Sequence, residues 1–145
     1  MPHDATRADS PERWIEYARA DMALAGAPLP EGARLEQLCF HAQQEAEKSL
    51  KAVLRYLGLE FPFTHSLQAL IDLTTDGIVP LKEAAAAAGL TPYAVLSRYP
   101  GETEPVDEQE YAEALSAAAA TMAWASSVIA AGQEALQDGE TADDT

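Results

Sequence analysis

The apolar residues between positions 35 and 57 recur at spacings of three and four, and this spacing constrains the fold more than any other feature of the chain. They are Leu35, Cys39, Ala42, Ala46, Leu50, Val53 and Leu57. Because an α-helix has about 3.6 residues per turn, these side chains lie along one side of a helix. The pattern predicts a long helix with a buried apolar side, and Gly58 is a suitable residue to end it.

Helix starts can be recognised elsewhere in the chain. Ser10 followed by Pro11 is one, because the serine hydroxyl can cap a helix and a proline in the first position loses no hydrogen bond. Thr64 is a suitable cap for a short helix. Asp107 opens the last helix, with Glu110 at the spacing of a capping box. Helices are therefore predicted over about 11–25, 35–57, 65–74, 81–88, 93–96 and 107–131.

The predicted helices belong to one domain. No segment alternates between apolar and polar residues as a strand would, so we predict an all-α fold, an antiparallel bundle of three long and about two short helices. A chain of 145 residues is long enough for one such core. Residues 1–9 are predicted to be a flexible N-terminus, 10–131 the helical domain and 132–145 a disordered acidic tail.

The charge of the chain limits its partners. It has 24 acidic against 9 basic residues, a formal net charge of −15. Proteins that bind nucleic acid through phosphates normally carry a basic face, so general nucleic-acid binding is not expected. Fields are screened within about 10 Å, however, so a small basic site is compatible with an acidic body. Lys48, Lys51 and Arg55 lie close together on the long helix and would form such a site.

Several kinds of site have no counterpart in the sequence. The single cysteine, Cys39, cannot form an internal disulfide or a cysteine zinc site. None of the histidines His3, His41 and His65 follows a glutamate by three residues, as a di-iron bundle requires. Glycine-rich phosphate loops do not occur either, so we predict no metal and no cofactor. Neither a run of about 18 apolar residues nor an apolar signal segment is recognised, and a soluble, cytoplasmic protein is expected.

The polar side of the long helix has an unusual composition. It carries Phe40, Gln44, Glu47, Lys48, Lys51 and Arg55. An aromatic ring, an amide, a carboxylate and three cations on one side are typical of a second contact surface. The alternative is a solvated face held by i,i+4 pairs, namely Glu47 with Lys51 and Gln44 with Lys48.

Arg98 lies where the chain leaves a short apolar segment, between Ser97 and Tyr99. An arginine in this position can bind a phosphate or carboxylate through its forked donors, with the tyrosine ring beside it for stacking. The alternative is that Arg98 caps the preceding short helix by bonding its last carbonyls. The residues alone leave both roles open.

These segments together resemble the HEPN domain family. The resemblance covers about residues 14–129 and is carried by HAQQEAEKSLKAVL on the long helix, by THSLQALIDL and by LSRYPG before the last helix. It implies a small α-helical bundle that dimerises, and the RYP segment points to the branch associated with minimal nucleotidyltransferases. In that branch the resemblance implies a toxin–antitoxin-like pair or an accessory subunit.

The resemblance also raises the question of catalysis. Catalytic HEPN members are metal-independent ribonucleases with an Arg-x(4–6)-His motif, in which the arginine holds the phosphate and the histidine moves a proton. Arg98 matches that arginine, but no histidine follows it in this chain. The motif is therefore broken, and a base would have to come from His41 or His65. His65 matches the family's threonine–histidine pair at a helix start, where a structural role is expected.

Three hypotheses follow. The first is a non-catalytic, homodimeric binding module that engages a nucleotide or a minimal nucleotidyltransferase, with Tyr99 as the hydroxyl that such a partner would modify. The second is a ribonuclease toxin that uses Arg98 with His41 or His65 as a displaced base. The third is a purely structural ion network, and we favour the first and third in combination. In the first, the contacts come from Gln44, Glu47, Lys48, Lys51, Arg98 and Tyr99.

Overall fold

A computed structural model of the chain describes residues 8–74, 79–96 and 105–143. Within these ranges the backbone forms helices and no strand, which confirms the predicted all-α bundle. Three helices are long and three are short, the fifth being a single turn. The helices are α1 (Pro11–Ala25), α2 (Leu35–Tyr56), α3 (Leu67–Leu73), α4 (Leu81–Ala88), α5 (Tyr93–Leu96) and α6 (Glu108–Asp143).

The helix starts follow the capping residues of the sequence, with one correction. The Ser10 hydroxyl accepts a hydrogen bond from the Arg13 amide at 3.2 Å, and the Asp107 carboxylate accepts one from the Glu110 amide at 2.8 Å. Helix α3 is capped by Ser66 and not by Thr64, because the Ser66 hydroxyl accepts from the Ala69 amide in the first turn of the helix. The Thr64 hydroxyl is already used within the preceding turn, where it accepts from the Ser66 amide at 3.0 Å.

Helix α2 is the centre of the bundle and packs against α1, α3, α5 and α6. Most of its predicted apolar side is buried, as expected, but burial extends well beyond that side. This extension follows from the number of neighbours, since a helix packed on several sides has little surface left for water. The additional buried residues of α2 include Gln43, Glu45, Glu47, Ser49 and Lys51.

Helix α6 packs its small residues against α2 and continues further than predicted. Ala118, Ala125 and Ile129 are buried at helical spacing. The backbone remains helical to Asp143, so the disordered tail predicted from residue 132 is helical over most of its length. Gly132 does not end the helix because one glycine costs only about 1 kcal/mol relative to alanine. At this position α6 passes the side chain of Tyr56, and a Cβ atom on Gly132 would overlap the Tyr56 hydroxyl and ring.

The same helix corrects the expectation that the chain has no long apolar segment. Residues Glu108–Ala135 form a helix that is long and apolar enough to cross a membrane, by length and composition alone. A single helix of this kind is weak evidence for a membrane span, because core helices of soluble bundles pass the same criterion. In this structure α6 packs against α1, α2 and α4.

Candidate functional site

A buried carboxylate organises one end of the polar side of α2. Glu47 is only 3% exposed, and one of its oxygens accepts hydrogen bonds from Gln43 Nε2 at 3.2 Å and from His65 Nδ1 at 2.8 Å. The other oxygen accepts from Lys51 Nζ at 3.0 Å. We refer to Gln43, Glu47, Lys51 and His65 as the Glu47 cluster. Three donors satisfy this carboxylate, as its burial requires.

Aromatic rings cover the cation of the Glu47 cluster. Lys51 Nζ lies 5.5 Å from the centre of the Trp14 ring and 5.4 Å from that of Phe61, and the two rings meet edge to face. The Arg55 guanidinium also contacts Phe61 and lies 4.5 Å from its ring centre. The rings attract the cations through their negative faces and exclude water from the ion pair. Lys51 and Glu47 are therefore held in the structure and are not accessible to a ligand.

The histidine of the Glu47 cluster reaches the surface. Its side chain is 45% exposed, while the Glu47 side chain beneath it is 4% exposed. Phe63 is 94% exposed, and its ring meets the His65 ring edge to face with the centres 5.6 Å apart. Because the carboxylate accepts from Nδ1, the neutral imidazole presents Nε2 as an acceptor. An exposed aromatic ring thus stands beside an imidazole whose orientation is fixed from below.

A second carboxylate, on α1, organises the neighbouring part of the same side. Asp21 is buried, and it accepts a hydrogen bond from His41 Nδ1 at 3.1 Å and another from Lys48 Nζ. The His41 and Lys48 side chains are 32% and 26% exposed. We refer to these three residues as the Asp21 cluster. Phe40 meets the His41 ring edge to face at 5.4 Å.

The two clusters contain the same chemical groups in the same arrangement. In each, a buried carboxylate holds one histidine through Nδ1 and one lysine through its ammonium group. A histidine held in this way can accept a proton at Nε2, which is the role of a general base. No group of three or more metal-ligating side chains occurs in the described residues, so the arrangement offers no multidentate metal site there.

The predicted site residues divide into three groups. Gln44 and Lys48 are partly exposed, and the Gln44 amide donates to Gln43 Oε1 at 2.7 Å. Glu47 and Lys51 are buried, and they form the predicted i,i+4 pair inside the protein and not on a solvated face. The predicted pairing of Gln44 with Lys48 is replaced by the bond from Lys48 to Asp21 on α1. Arg98 and Tyr99 lie outside the described residues.

The residues that α2 contacts on other segments were not predicted from the sequence. Asp21 follows Ala18 by three residues and precedes Ala25 by four, so helical spacing marks it as an inward-facing charge. Gln43 is adjacent to the apolar side of α2, and its burial could have been suspected for the same reason. The exposure of Phe63 to solvent could not be predicted from the sequence, because a large apolar side chain is usually buried by neighbouring residues.

Glu45 is a further buried carboxyl group on α2, at 0% exposure. Burial raises its pKa from an ordinary value of 4.5 to about 9; the negative charge of Asp21 raises it further, and the Ser49 hydroxyl opposes the shift. The group is therefore protonated in the folded protein at neutral pH. The contacts give Glu45 no part in the candidate site, but its burial makes the stability of the bundle depend on pH.

The fold and the clusters define a small helical-bundle domain whose central helix carries buried ion pairs. The family model described as HEPN domain matches residues 11–128, and the chain belongs to that family. This confirms the resemblance noted in the sequence, while its assignment to the RYP branch stays a prediction.

Two solved structures are similar to the chain. The crystal structure of TT1696 from Thermus thermophilus has a TM-score of 0.72 and 28% sequence identity, covering 82% of this chain and 98% of that one. The crystal structure of ST0689, an archaeal HEPN homologue, has a TM-score of 0.64 and 28% identity, covering 83% and 98%. No curated protein matches the chain significantly. The similar structures support a HEPN helical bundle.

Proposed function

We propose that this chain is a non-catalytic, cytoplasmic HEPN-domain binding module that engages a nucleotide. In this proposal it is a homodimer and acts beside a minimal nucleotidyltransferase in a toxin–antitoxin-like pair. The observation that carries the nucleotide part is the exposed Phe63 ring beside His65, with Glu47 holding the imidazole from below. Homodimerisation and the nucleotidyltransferase partner are supported by membership of the HEPN family.

The exposed rings suit a nucleobase because the position of the imidazole is set before a ligand arrives. Ordering a side chain on binding costs free energy, and the bond to Glu47 removes much of that cost for His65. Stacking of a base on an exposed aromatic ring contributes about 1–3 kcal/mol. In the proposal, the Phe63 ring stacks on the base while Gln44 and Lys48 donate to the sugar or phosphates.

The buried and the undescribed residues have separate parts in the proposal. Glu47 and Lys51 position His65 and do not touch the ligand, because both are buried. Arg98 and Tyr99 are expected from the HEPN resemblance to supply a phosphate contact and a second ring. If a nucleotidyltransferase modifies this chain, the Tyr99 hydroxyl is the expected acceptor, and Tyr99→Phe should abolish the added mass seen after incubation with that partner and ATP.

The charge pairing on α2 favours a small nucleotide over a nucleic acid. Lys48 and Lys51 are each bonded to a carboxylate, so this side of the helix has little net positive charge. A protein that follows a phosphate backbone needs several unpaired cations. A nucleotide that is held by stacking and by a few hydrogen bonds does not.

The test is an ATP titration by isothermal calorimetry of the wild-type protein, Phe63→Ala, His65→Ala and Leu24→Ala. Leu24 is also exposed, at 51%, but it lies on α1, and it controls for the loss of an apolar surface residue. We expect Phe63→Ala to weaken ATP binding about 5- to 150-fold, which corresponds to the stacking contribution. Leu24→Ala should bind as the wild type does.

Two results would overturn the proposal. If ATP does not bind the wild-type protein, the chain is not a nucleotide-binding module for ATP. If ATP binds but Phe63→Ala and His65→Ala leave the affinity unchanged, the nucleotide site lies elsewhere. Arg98→Ala, measured in the same series, shows whether that site includes the arginine of the family resemblance.

A second candidate function is a metal-independent ribonuclease, and the two histidine–carboxylate pairs favour it. His41 and His65 each have Nδ1 bonded to a carboxylate, which orients the ring and leaves Nε2 of the neutral imidazole to accept a proton. RNA cleavage in the presence of EDTA should then be reduced about 10²- to 10⁴-fold by substitution of the histidine that acts, and abolished by Arg98→Ala. Cleavage that survives all three substitutions would exclude this candidate.

A further inference from the structure

The amide group of Gln43 helps to fix the position of His65. This side chain is fully buried, and its Nε2 donates to Glu47 Oε1 at 3.2 Å and to the main-chain carbonyl oxygen of His65 at 3.3 Å. Its Oε1 accepts from Gln44 Nε2 at 2.7 Å. The orientation of the Gln43 amide is thereby defined, because its nitrogen faces two acceptors and its oxygen faces a donor.

The Glu47 carboxylate determines which ring nitrogen of His65 carries the proton. Because Lys51 Nζ donates to its other oxygen, the carboxylate is an acceptor among three donors. It can accept from His65 Nδ1 only if that nitrogen carries a hydrogen, and in the neutral ring Nε2 is then an acceptor without a hydrogen. Turning the ring over would cost free energy, since a buried oxygen of Glu47 would lose one of its donors.

The backbone on both sides of His65 is held as well. The Ser66 amide donates to Thr64 Oγ1 at 3.0 Å, and the Ser66 hydroxyl caps α3. The bond from Gln43 to the His65 carbonyl joins the same turn to α2. The exposed ring of Phe63 lies at the start of this turn, with its centre 5.6 Å from that of the imidazole. A planar ligand that stacks on Phe63 therefore brings one of its edges close to an acceptor that is already oriented.

We propose that His65 makes this site selective for a nucleobase that presents a primary amino group, such as adenine. The inference rests on the proposed nucleotide function and names the class of base that the site selects. His65 Nε2 accepts a hydrogen bond from the exocyclic amino group of the base that stacks on Phe63. A base edge without a donor at this point binds more weakly, because it leaves the acceptor without a partner in the complex. Gln43 and Glu47 are positioning residues, which act through His65 and do not touch the base.

A phosphate group suits the position beside His65 less well than an amino group does. The neutral ring has no hydrogen on Nε2 to donate, and the Glu47 carboxylate beneath it is negatively charged. The cation of the Glu47 cluster, Lys51, is buried and bonded to that carboxylate. The base and not the phosphates therefore lies at His65, and the phosphates extend towards Gln44 and Lys48, which are partly exposed.

The experiment compares ATP with purine riboside 5′-triphosphate, in which a hydrogen atom replaces the 6-amino group, by isothermal calorimetry of the full-length protein at pH 8. We expect the wild type to bind ATP about three- to tenfold more tightly than the analogue, as one hydrogen bond provides. His65→Ala should bind the two triphosphates equally. Gln43→Leu should bring the ratio closer to one, because the ring is then held less firmly, and Leu24→Ala should keep the ratio of the wild type.

The position of the imidazole proton is measured separately, in long-range ¹H–¹⁵N spectra of the histidine rings assigned with His65→Ala. We expect the proton on Nδ1, and we expect the Nε2 resonance to move further with ATP than with the analogue. The selectivity is overturned if the proton lies on Nε2, if the wild type binds both triphosphates equally, or if the preference for ATP survives in His65→Ala. Equal binding would leave the nucleotide function standing, whereas a wild type that binds neither triphosphate would refute that function and the selectivity together. His65→Ala decides the matter even if Gln43→Leu does not fold, since His65 is a surface residue.

Discussion

Replacing Glu45 by glutamine should remove a pH dependence from the stability of the bundle. Glu45 is fully buried in α2, and its pKa in the folded protein is about 9 against an ordinary value of 4.5. Between these two pH values the folded protein holds a proton at Glu45 that the unfolded chain has released. The free energy of unfolding must therefore fall as the pH rises through this interval.

The size of the effect follows from the proton balance. One proton bound by the folded state alone corresponds to a slope of about 1.4 kcal/mol per pH unit. Below pH 4.5 both states are protonated and above about 9 both are ionised, so the slope is confined to the interval between them. Glutamine has nearly the same shape and does not titrate. From pH 5 to pH 8 the stability of Glu45→Gln should rise relative to the wild type by up to about 4 kcal/mol.

The assay is urea unfolding at pH 5, 6, 7 and 8, followed by far-ultraviolet circular dichroism and tryptophan fluorescence. Other groups titrate equally in both proteins, so the difference between the two curves isolates Glu45. Glu16→Gln is the control, because Glu16 is exposed and forms a surface pair with Arg13. Such pairs contribute about 0–1 kcal/mol, so its difference from the wild type should change little with pH.

The reasoning would be refuted by parallel stability curves. If the difference between Glu45→Gln and the wild type changes by less than about 0.5 kcal/mol from pH 5 to 8, Glu45 is ionised in the folded protein and has a partner that stabilises its charge. A pH-independent offset that adds to the predicted slope, in contrast, would not affect the conclusion. The offset would report how the glutamine amide packs, whereas the slope reports the proton that the folded state binds at Glu45.

Three further predictions concern the packing of the helices. Gly132→Ala should lower the melting temperature because the added Cβ atom overlaps the Tyr56 side chain. In a Tyr56→Ala background the same substitution should raise the melting temperature, since alanine favours the helix by about 1 kcal/mol. A change of the same sign in both backgrounds would contradict the overlap. Glu47→Ala should lower the free energy of unfolding in urea by about 3–5 kcal/mol, because it leaves the Lys51 ammonium buried without a partner. The double variant Glu47→Ala with Lys51→Met should recover part of this loss. No recovery would show that the two residues are not coupled. Ser10→Ala should lower the free energy of unfolding by about 1 kcal/mol, measured by thermal unfolding, because it removes the cap of α1. An unchanged stability would mean that solvent replaces the hydroxyl.

Local sequence signals were sufficient to place the helices. The spacing on α2, the Ser10–Pro11 start and the Asp107 cap each depend on residues within one or two turns, and the structure has them where they were predicted. The error at Thr64 was also local, because two hydroxyls compete for neighbouring amides and the sequence does not show which one closes the helix. The continuation of α6 beyond Gly132 reflects the small cost of one glycine in a long helix.

The candidate site could be predicted only in part, because it depends on contacts between segments. A helical wheel shows which residues share a side of α2, but it does not show how many other elements cover that side. Glu47 and Lys51 were therefore placed correctly beside each other and incorrectly at the surface. Asp21 comes from α1, and His65 from the segment before α3, so no spacing within α2 could indicate either contact.

The structure changes how the binding and the structural hypotheses relate to each other. The two hypotheses were favoured in combination for the same residues, and exposure divides those residues between the two roles. Glu47 and Lys51 are buried, with Trp14 and Phe61 packed over the Lys51 ammonium. In this position the ion pair can only stabilise the fold and orient its neighbours. His65 is bonded to the same carboxylate and reaches solvent, so the buried pair sets the geometry of a group that a ligand can touch. A substitution at Glu47 should then reduce both stability and nucleotide affinity, whereas one at Phe63 should reduce affinity alone.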